Sequence, residues 1–183
     1  MLRKRWVLLA ALVVPIGCDG SPVALPATVD PAFSTHSLPG ARCTNVSGPV
    51  IASFVASGVT HPLDGDAAHI EGTTSGDVVS SAYAWVDYVS HPPADASWQG
   101  AIRIRMRHLY VAPDESWMVW TEDEGVLAPL GGGVYQFNNR LRVAGGAGAF
   151  QGATGLLRSH GTVDFAQNEI RLDYHGRICL PAG

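Results

Sequence analysis

The sequence predicts an all-β fold, an eight-stranded antiparallel up-and-down β-barrel preceded by a signal peptide and a flexible tether. Three observations predict it. From Cys43 onward, short apolar runs alternate with polar residues in period two, the pattern of half-buried strands. Gly, Pro, Asn and Asp divide these runs, and no stretch of helical period lies between them. The runs number eight, near 46–56, 67–73, 78–89, 100–111, 116–126, 134–144, 155–165 and 169–179, and an even meander of this size can close and leave no edge strand. Composition agrees: 183 residues, 46% hydrophobic and 15% charged, with 21 Gly, 12 Pro and 3 Cys, fit one globular domain and exclude collagen, a disordered chain or a polytopic membrane protein. Once a leader is removed, roughly 165 residues remain, enough to bury about 68–70% of the unfolded surface in one core.

Residues 1–17 have the layout of an export signal. Arg3, Lys4 and Arg5 form a basic head, and Trp6 to Ile16 is an apolar run of 11 residues, too short to span a bilayer. Val14-Pro15-Ile16-Gly17-Cys18 resembles the lipobox of bacterial lipoproteins, which implies a lipid on Cys18 and a membrane anchor, although Pro15 stands where Leu is usual. Ordinary cleavage after Ala27, leaving a soluble secreted protein, is the other reading. Residues 18–42 carry Pro22, Pro26, Pro31 and Pro39 among small polar residues without apolar periodicity, the composition of a tether, and the barrel domain is placed at 43–183. Setting Cys18 aside, Cys43 and Cys179 form a lone pair in an oxidising compartment, so a disulfide between the first and last strands is expected.

Charge narrows the partners. The net charge is −4, and without Arg3, Lys4 and Arg5 the chain holds nine basic against 16 acidic residues, or −7. Nucleic acid is excluded as a partner because its binding needs a basic face. No P-loop, H-E-x-x-H or nucleophile-elbow motif is present, and no cofactor is expected.

Two hairpins can be registered from their turns. A two-residue turn at Gln167-Asn168 sets Phe165 opposite Ile170, Val163 opposite Leu172, Gly161 opposite Tyr174 and Leu157 opposite Ile178 on one face, with His160 opposite His175 on the other. A turn centred on Pro113-Asp114 sets Arg105 opposite Glu122 and Arg103 opposite Glu124 as outer ion pairs. These pairs turn Ile102, Ile104, Met106, His108 and Tyr110 inward, opposite Gly125, Asp123, Thr121, Val119 and Trp117 respectively. By the same logic Arg140 and Arg142 face out, while Tyr135, Phe137, Asn139, Leu141 and Val143 face in.

The segment Gly145-Gly146-Ala147-Gly148-Ala149-Phe150-Gln151-Gly152-Ala153-Thr154-Gly155 suits a sharp barrel corner, with Phe150 plugging the barrel end. It resembles the GGTGRFAGATG-like stretch of the allene oxide cyclase and dirigent barrel superfamily, at Gly145, Gly146, Gly148, Phe150, Gly152, Ala153, Thr154 and Gly155, and Gly161-Thr162-Val163-Asp164 resembles that family's next strand. Ala149 stands where a basic residue is usual. The resemblance covers about residues 134 to 179 and implies an eight-stranded barrel with a largely apolar cavity. In plants such cavities guide cyclisation of a fatty-acid epoxide or coupling of phenoxy radicals. The cyclase's catalytic positions have no match here, so no catalytic residue is carried over.

The residues themselves supply the candidates. Asp123, His108 and Asn139 are polar groups among inward apolar ones; a carboxylate in a low-dielectric cavity beside an imidazole can serve as acid or base, or the two can simply satisfy each other. Tyr110, Trp117, Thr121, Tyr135, Phe137 and Trp85 are candidates to line a pocket for a small hydrophobic ligand, or to fill the barrel, since eight strands leave just enough interior for either. His160 and His175 lack an identifiable third ligand, so no metal site is expected. The functional expectation is a barrel that binds a small hydrophobic or aromatic molecule at the cell envelope. A cofactor-free isomerase or cyclase using Asp123 and His108, and a solid-cored interaction protein, are the alternatives.

Overall fold

The computed structural model describes residues 40–56, 67–91 and 100–182. The expected signal peptide 1–17, the expected lipidation site Cys18 and nearly all of the expected 18–42 tether lie outside the described residues. Eight strands run in chain order: β1 Arg42–Phe54, β2 Ile70–Thr74, β3 Ser80–Ser90, β4 Ile102–Val111, β5 Trp117–Gly131, β6 Val134–Gly148, β7 Thr154–Asp164 and β8 Glu169–Leu180. Each pairs antiparallel with its sequence neighbour, and β1 pairs with β8, so the sheet is a closed barrel. This is the expected architecture. Closure leaves the main chain of both terminal strands hydrogen-bonded.

Cys43 lies directly opposite Cys179 in the β1–β8 ladder, and the two form a disulfide across the seam. The staple therefore sits where the last strand meets the first.

Both hairpin registers differ from expectation by two residues. Val163 faces Ile170 and Arg158 faces His175, because the β7–β8 loop holds Phe165 to Asn168, with Asn168 in the left-handed region at φ 54°. The Asp164 side chain accepts hydrogen bonds from the backbone N–H groups of Ala166 and Gln167, which fixes this longer loop. In the β4–β5 hairpin the Ala112 N–H bonds to the Trp117 carbonyl, Glu115 sits at φ 58°, and Asp114 accepts from the Ser116 backbone and hydroxyl. Arg105 consequently faces Glu124, at 3.3 Å, while Glu122 pairs with Arg142 of β6 and Arg103 lies opposite Val126. A shift of two preserves which face each side chain takes, since the strand period is two. His108 thus faces Thr121 and Met106 faces Asp123, yet all four still point inward.

The glycine segment is not one corner. A bulge between the Trp120 and Thr121 pairings leaves Ala144 extra on β6, after which residues 145–148 continue as strand. The chain turns only at 149–153. Gly148 is the position where this requires glycine: its φ is 62°, and a Cβ there would sit 2.1 Å from the Ser116 carbonyl oxygen. Gly148→Ala is expected to cost about 1–3 kcal/mol, read as a lowered urea midpoint at unchanged slope.

Two apolar clusters fill the interior. One contains Val119, Leu141, Val143, Leu157 and Ile178, with Trp117 and Phe150 packed on it. It closes the end from which the Gly152 turn and the disulfide project. The other contains Ile104, Met106, Leu127, Phe137, Val163 and Ile170 and lies toward the opposite end.

Candidate functional site

A cavity of about 270 Å³ occupies the second half of the barrel. Its size follows from the residues that point inward there. β1 and β3 present Ala52, Ala82 and Ala84 to the interior, while the large Trp85 of β3 points away, and small side chains on adjacent strands leave volume that Ile104, Met106, Phe137 and Leu172 do not fill. Its lining reaches the exposed rim at Val89 and Phe165, both about half exposed, so the cavity opens at that end. Phe54 and Phe165 stack there at 5.1 Å between ring centres.

At the inner end the wall becomes polar. His108, Tyr110, Ser159 and Tyr174 line it. Tyr174 is already engaged: its hydroxyl accepts from the Val78 N–H at 2.9 Å and donates to the Ser75 carbonyl at 3.0 Å. His108 stacks on Tyr110 with ring centres 5.8 Å apart, and its Nδ1 makes a short hydrogen bond to Asp123 Oδ2. Thr121 donates its hydroxyl proton to the same oxygen at 3.1 Å.

Asp123 is 4% exposed and does not reach the cavity; it stands behind His108. Burial raises its pKa, an effect that the His108 charge and the hydrogen bonds from His108 and Thr121 offset only in part. Oδ1 has no hydrogen-bond partner among the described residues, and neither has Oδ1 of Asn139, which is 6% exposed. An ionised carboxylate with one unpaired buried oxygen is costly, which acts in the same direction as the burial. Burial also raises the Tyr110 pKa well above its usual value, aided by the nearby Asp123 charge, and keeps its hydroxyl protonated.

The sign of the pH effect follows. An acid whose folded pKa is raised above about 3.9 stabilises the fold fully below that pH, and the contribution is lost as pH rises through the folded value. Urea unfolding at a series of pH values is expected to show this decline in the native protein. In Asp123→Asn the decline is smaller, and the variant is at least as stable as the native protein at pH 7.

The structure brings together His108, Asp123 and Thr121, with His108, Tyr110 and Phe137 on the cavity wall. The other expected pocket residues stand elsewhere. Trp117 packs on Phe150, 4.8 Å between ring centres, at the closed end. Trp85, 1% exposed, belongs to a cluster with Ala68 and Leu109 on the outer face of the sheet, where Met118 and Trp120 cover it. Tyr135 meets Phe165 edge-on at 5.4 Å without lining the cavity, and Thr121 and Asn139 are buried behind the wall. Ser159 went unnoticed in the sequence, although alternation with Leu157 and Val163 already turned it inward. Of the pair, the imidazole faces the cavity, and the carboxylate stands behind it, hydrogen-bonded to Nδ1.

Neither a protein-family profile nor a curated protein sequence matches this chain. Among solved structures, a pterocarpan synthase dirigent protein is similar at 12% identity and a TM-score of 0.42, over 79% of this chain and 88% of that one.

Proposed function

We propose that this protein is an exported, lipid-anchored β-barrel that binds one small apolar or aromatic molecule in its interior at the cell envelope. The observation that carries the reading is the cavity of about 270 Å³, apolar along its length and open at the Phe165 rim. Ligand pockets run from about 300 to 1,000 Å³, so the space fits a compact molecule of one or two rings. The anchor is the lipid expected on Cys18: at about 0.8 kcal/mol per buried CH₂, two or three acyl chains hold a protein to a membrane where one chain does not.

Ala52→Trp would fill the cavity from β1. Titrating the protein with naphthalene is expected to give saturable binding that this substitution abolishes; equal binding by both proteins, or none by either, sinks the reading. Palmitate labelling lost in Cys18→Ser would establish the anchor, and an unlabelled native protein would refute it.

A second reading, a cofactor-free isomerase, draws on the His108–Asp123 pair at the cavity wall. Asp123→Asn separates the two: ligand affinity stays nearly intact if the barrel only binds, whereas turnover is abolished if it catalyses.

A further inference from the structure

We infer that the ligand carries a single hydroxyl-type head group and enters head first, so that this group meets His108 and Ser159 at the inner end of the cavity. The inference rests on the binding reading and adds the chemistry of the ligand. Most of the cavity wall is apolar: Ala52, Ile70, Ile104, Met106, Ile170 and Leu172 offer a guest carbon and one thioether sulfur, and the polar side chains that line it are Tyr83, His108, Tyr110, Ser159 and Tyr174. Polar side chains with free capacity collect at one end. His108 has Nδ1 committed to Asp123 Oδ2, which leaves Nε2 as the ring nitrogen with no partner among the described residues. Ser159 is 5% exposed, lines the same cavity from β7, and its hydroxyl makes no hydrogen bond to a described residue.

Buried polar groups normally have partners, and an unpaired one opposes burial. A purely apolar guest seals off the His108 nitrogen and the Ser159 hydroxyl. A guest with a terminal hydroxyl satisfies them, because a hydroxyl both donates and accepts. The hydroxyl can give its proton to, or receive one from, Nε2 whichever tautomer Asp123 imposes, and exchange a second bond with Ser159. An ionised head group gains nothing comparable, since it loses its hydration in an apolar tube. Tyr174 does not compete for the head group, as its hydroxyl is held by Val78 and Ser75.

The test compares naphthalene with 2-naphthalenemethanol, which share a ring system and differ in the head group, by titration of the purified full chain. The alcohol is expected to bind about tenfold more tightly, as a buried site built for a hydroxyl discriminates against its absence. His108→Phe and Ser159→Ala are each expected to shrink that preference while naphthalene binding persists. Equal affinities, tighter binding of naphthalene, or a preference unchanged in both variants overturns the inference and leaves the cavity reading standing. Failure of both compounds to bind overturns the cavity reading and the inference with it. If a substitution prevents folding, the comparison in the native protein decides alone.

Discussion

Replacing Cys43 and Cys179 together by serine is expected to lower the unfolding free energy by about 4–5 kcal/mol and the melting temperature by roughly 10 °C or more. The disulfide spans a sequence separation of 136 and joins opposed residues of β1 and β8. In the chain-entropy account, its value lies in the unfolded state: a loop of this length has much conformational freedom to lose, and the cross-link removes it in advance. The same bond also locks the one seam that the local hairpins cannot make. β2 through β8 each pair with the strand just before them, whereas β1 and β8 must find each other across nearly the whole domain. Treating the native protein with a reductant under unfolding conditions should reproduce the midpoint of the double variant. An unfolding free energy of the double variant within about 1 kcal/mol of the oxidised native protein would contradict the expected loss of about 4–5 kcal/mol.

Trp85→Ala is expected to cost about 3–5 kcal/mol, the range for deleting a fully buried aromatic side chain. Trp85 is 1% exposed and packs with Leu109, Ala68, Met118 and Trp120 on the outer face of β3, β4 and β5. The cost is expected to leave the affinity of the cavity for naphthalene unchanged, because Ala84 and Val86, its neighbours in β3, are the ones that line the cavity. Trp85→Phe, which retains most of the packing, allows the same comparison in a better-folded variant. A large loss of affinity in Trp85→Phe would show that the inward and outward faces of β3 are assigned wrongly.

Trp85 also marks the limit of what the sequence makes legible. Alternation reveals the face of a strand only when one face is polar. On β4 and β5 the charged residues Arg105, Glu122 and Glu124 mark the outside, and on β6 Arg140 and Arg142 do, so alternation sorts His108, Asp123 and Phe137 inward, where the structure places them. On β3 both faces are apolar, with Ala82, Ala84 and Val86 on one and Trp85 on the other, and size suggests the wrong one. The cavity exists because the small residues point in. Its volume is a property of several strands at once, and no single run of sequence displays it.

Turn length was hidden for a related reason. Asp114 and Asp164 each bond the backbone two residues on, and Glu115 and Asn168 adopt positive φ, which lengthens both hairpin loops without any glycine to announce it. Pairings slipped by two, but faces did not. His108 and Asp123 therefore share the inward face in either register, and the observed pairing, His108 with Thr121 and Met106 with Asp123, brings them into contact as diagonal neighbours. The order of the pair was beyond sequence reasoning, since which of two inward polar groups reaches the cavity depends on how the wall curves around it.

The proposed ligand lies inside the barrel. In a nuclear Overhauser experiment on the protein saturated with 2-naphthalenemethanol, the ring protons are expected to show cross-peaks to the methyl groups of Met106, Ile170 and Leu172, which line the cavity. Cross-peaks to Leu109 and Met118 of the outer cluster instead, or none to any interior methyl, would contradict it.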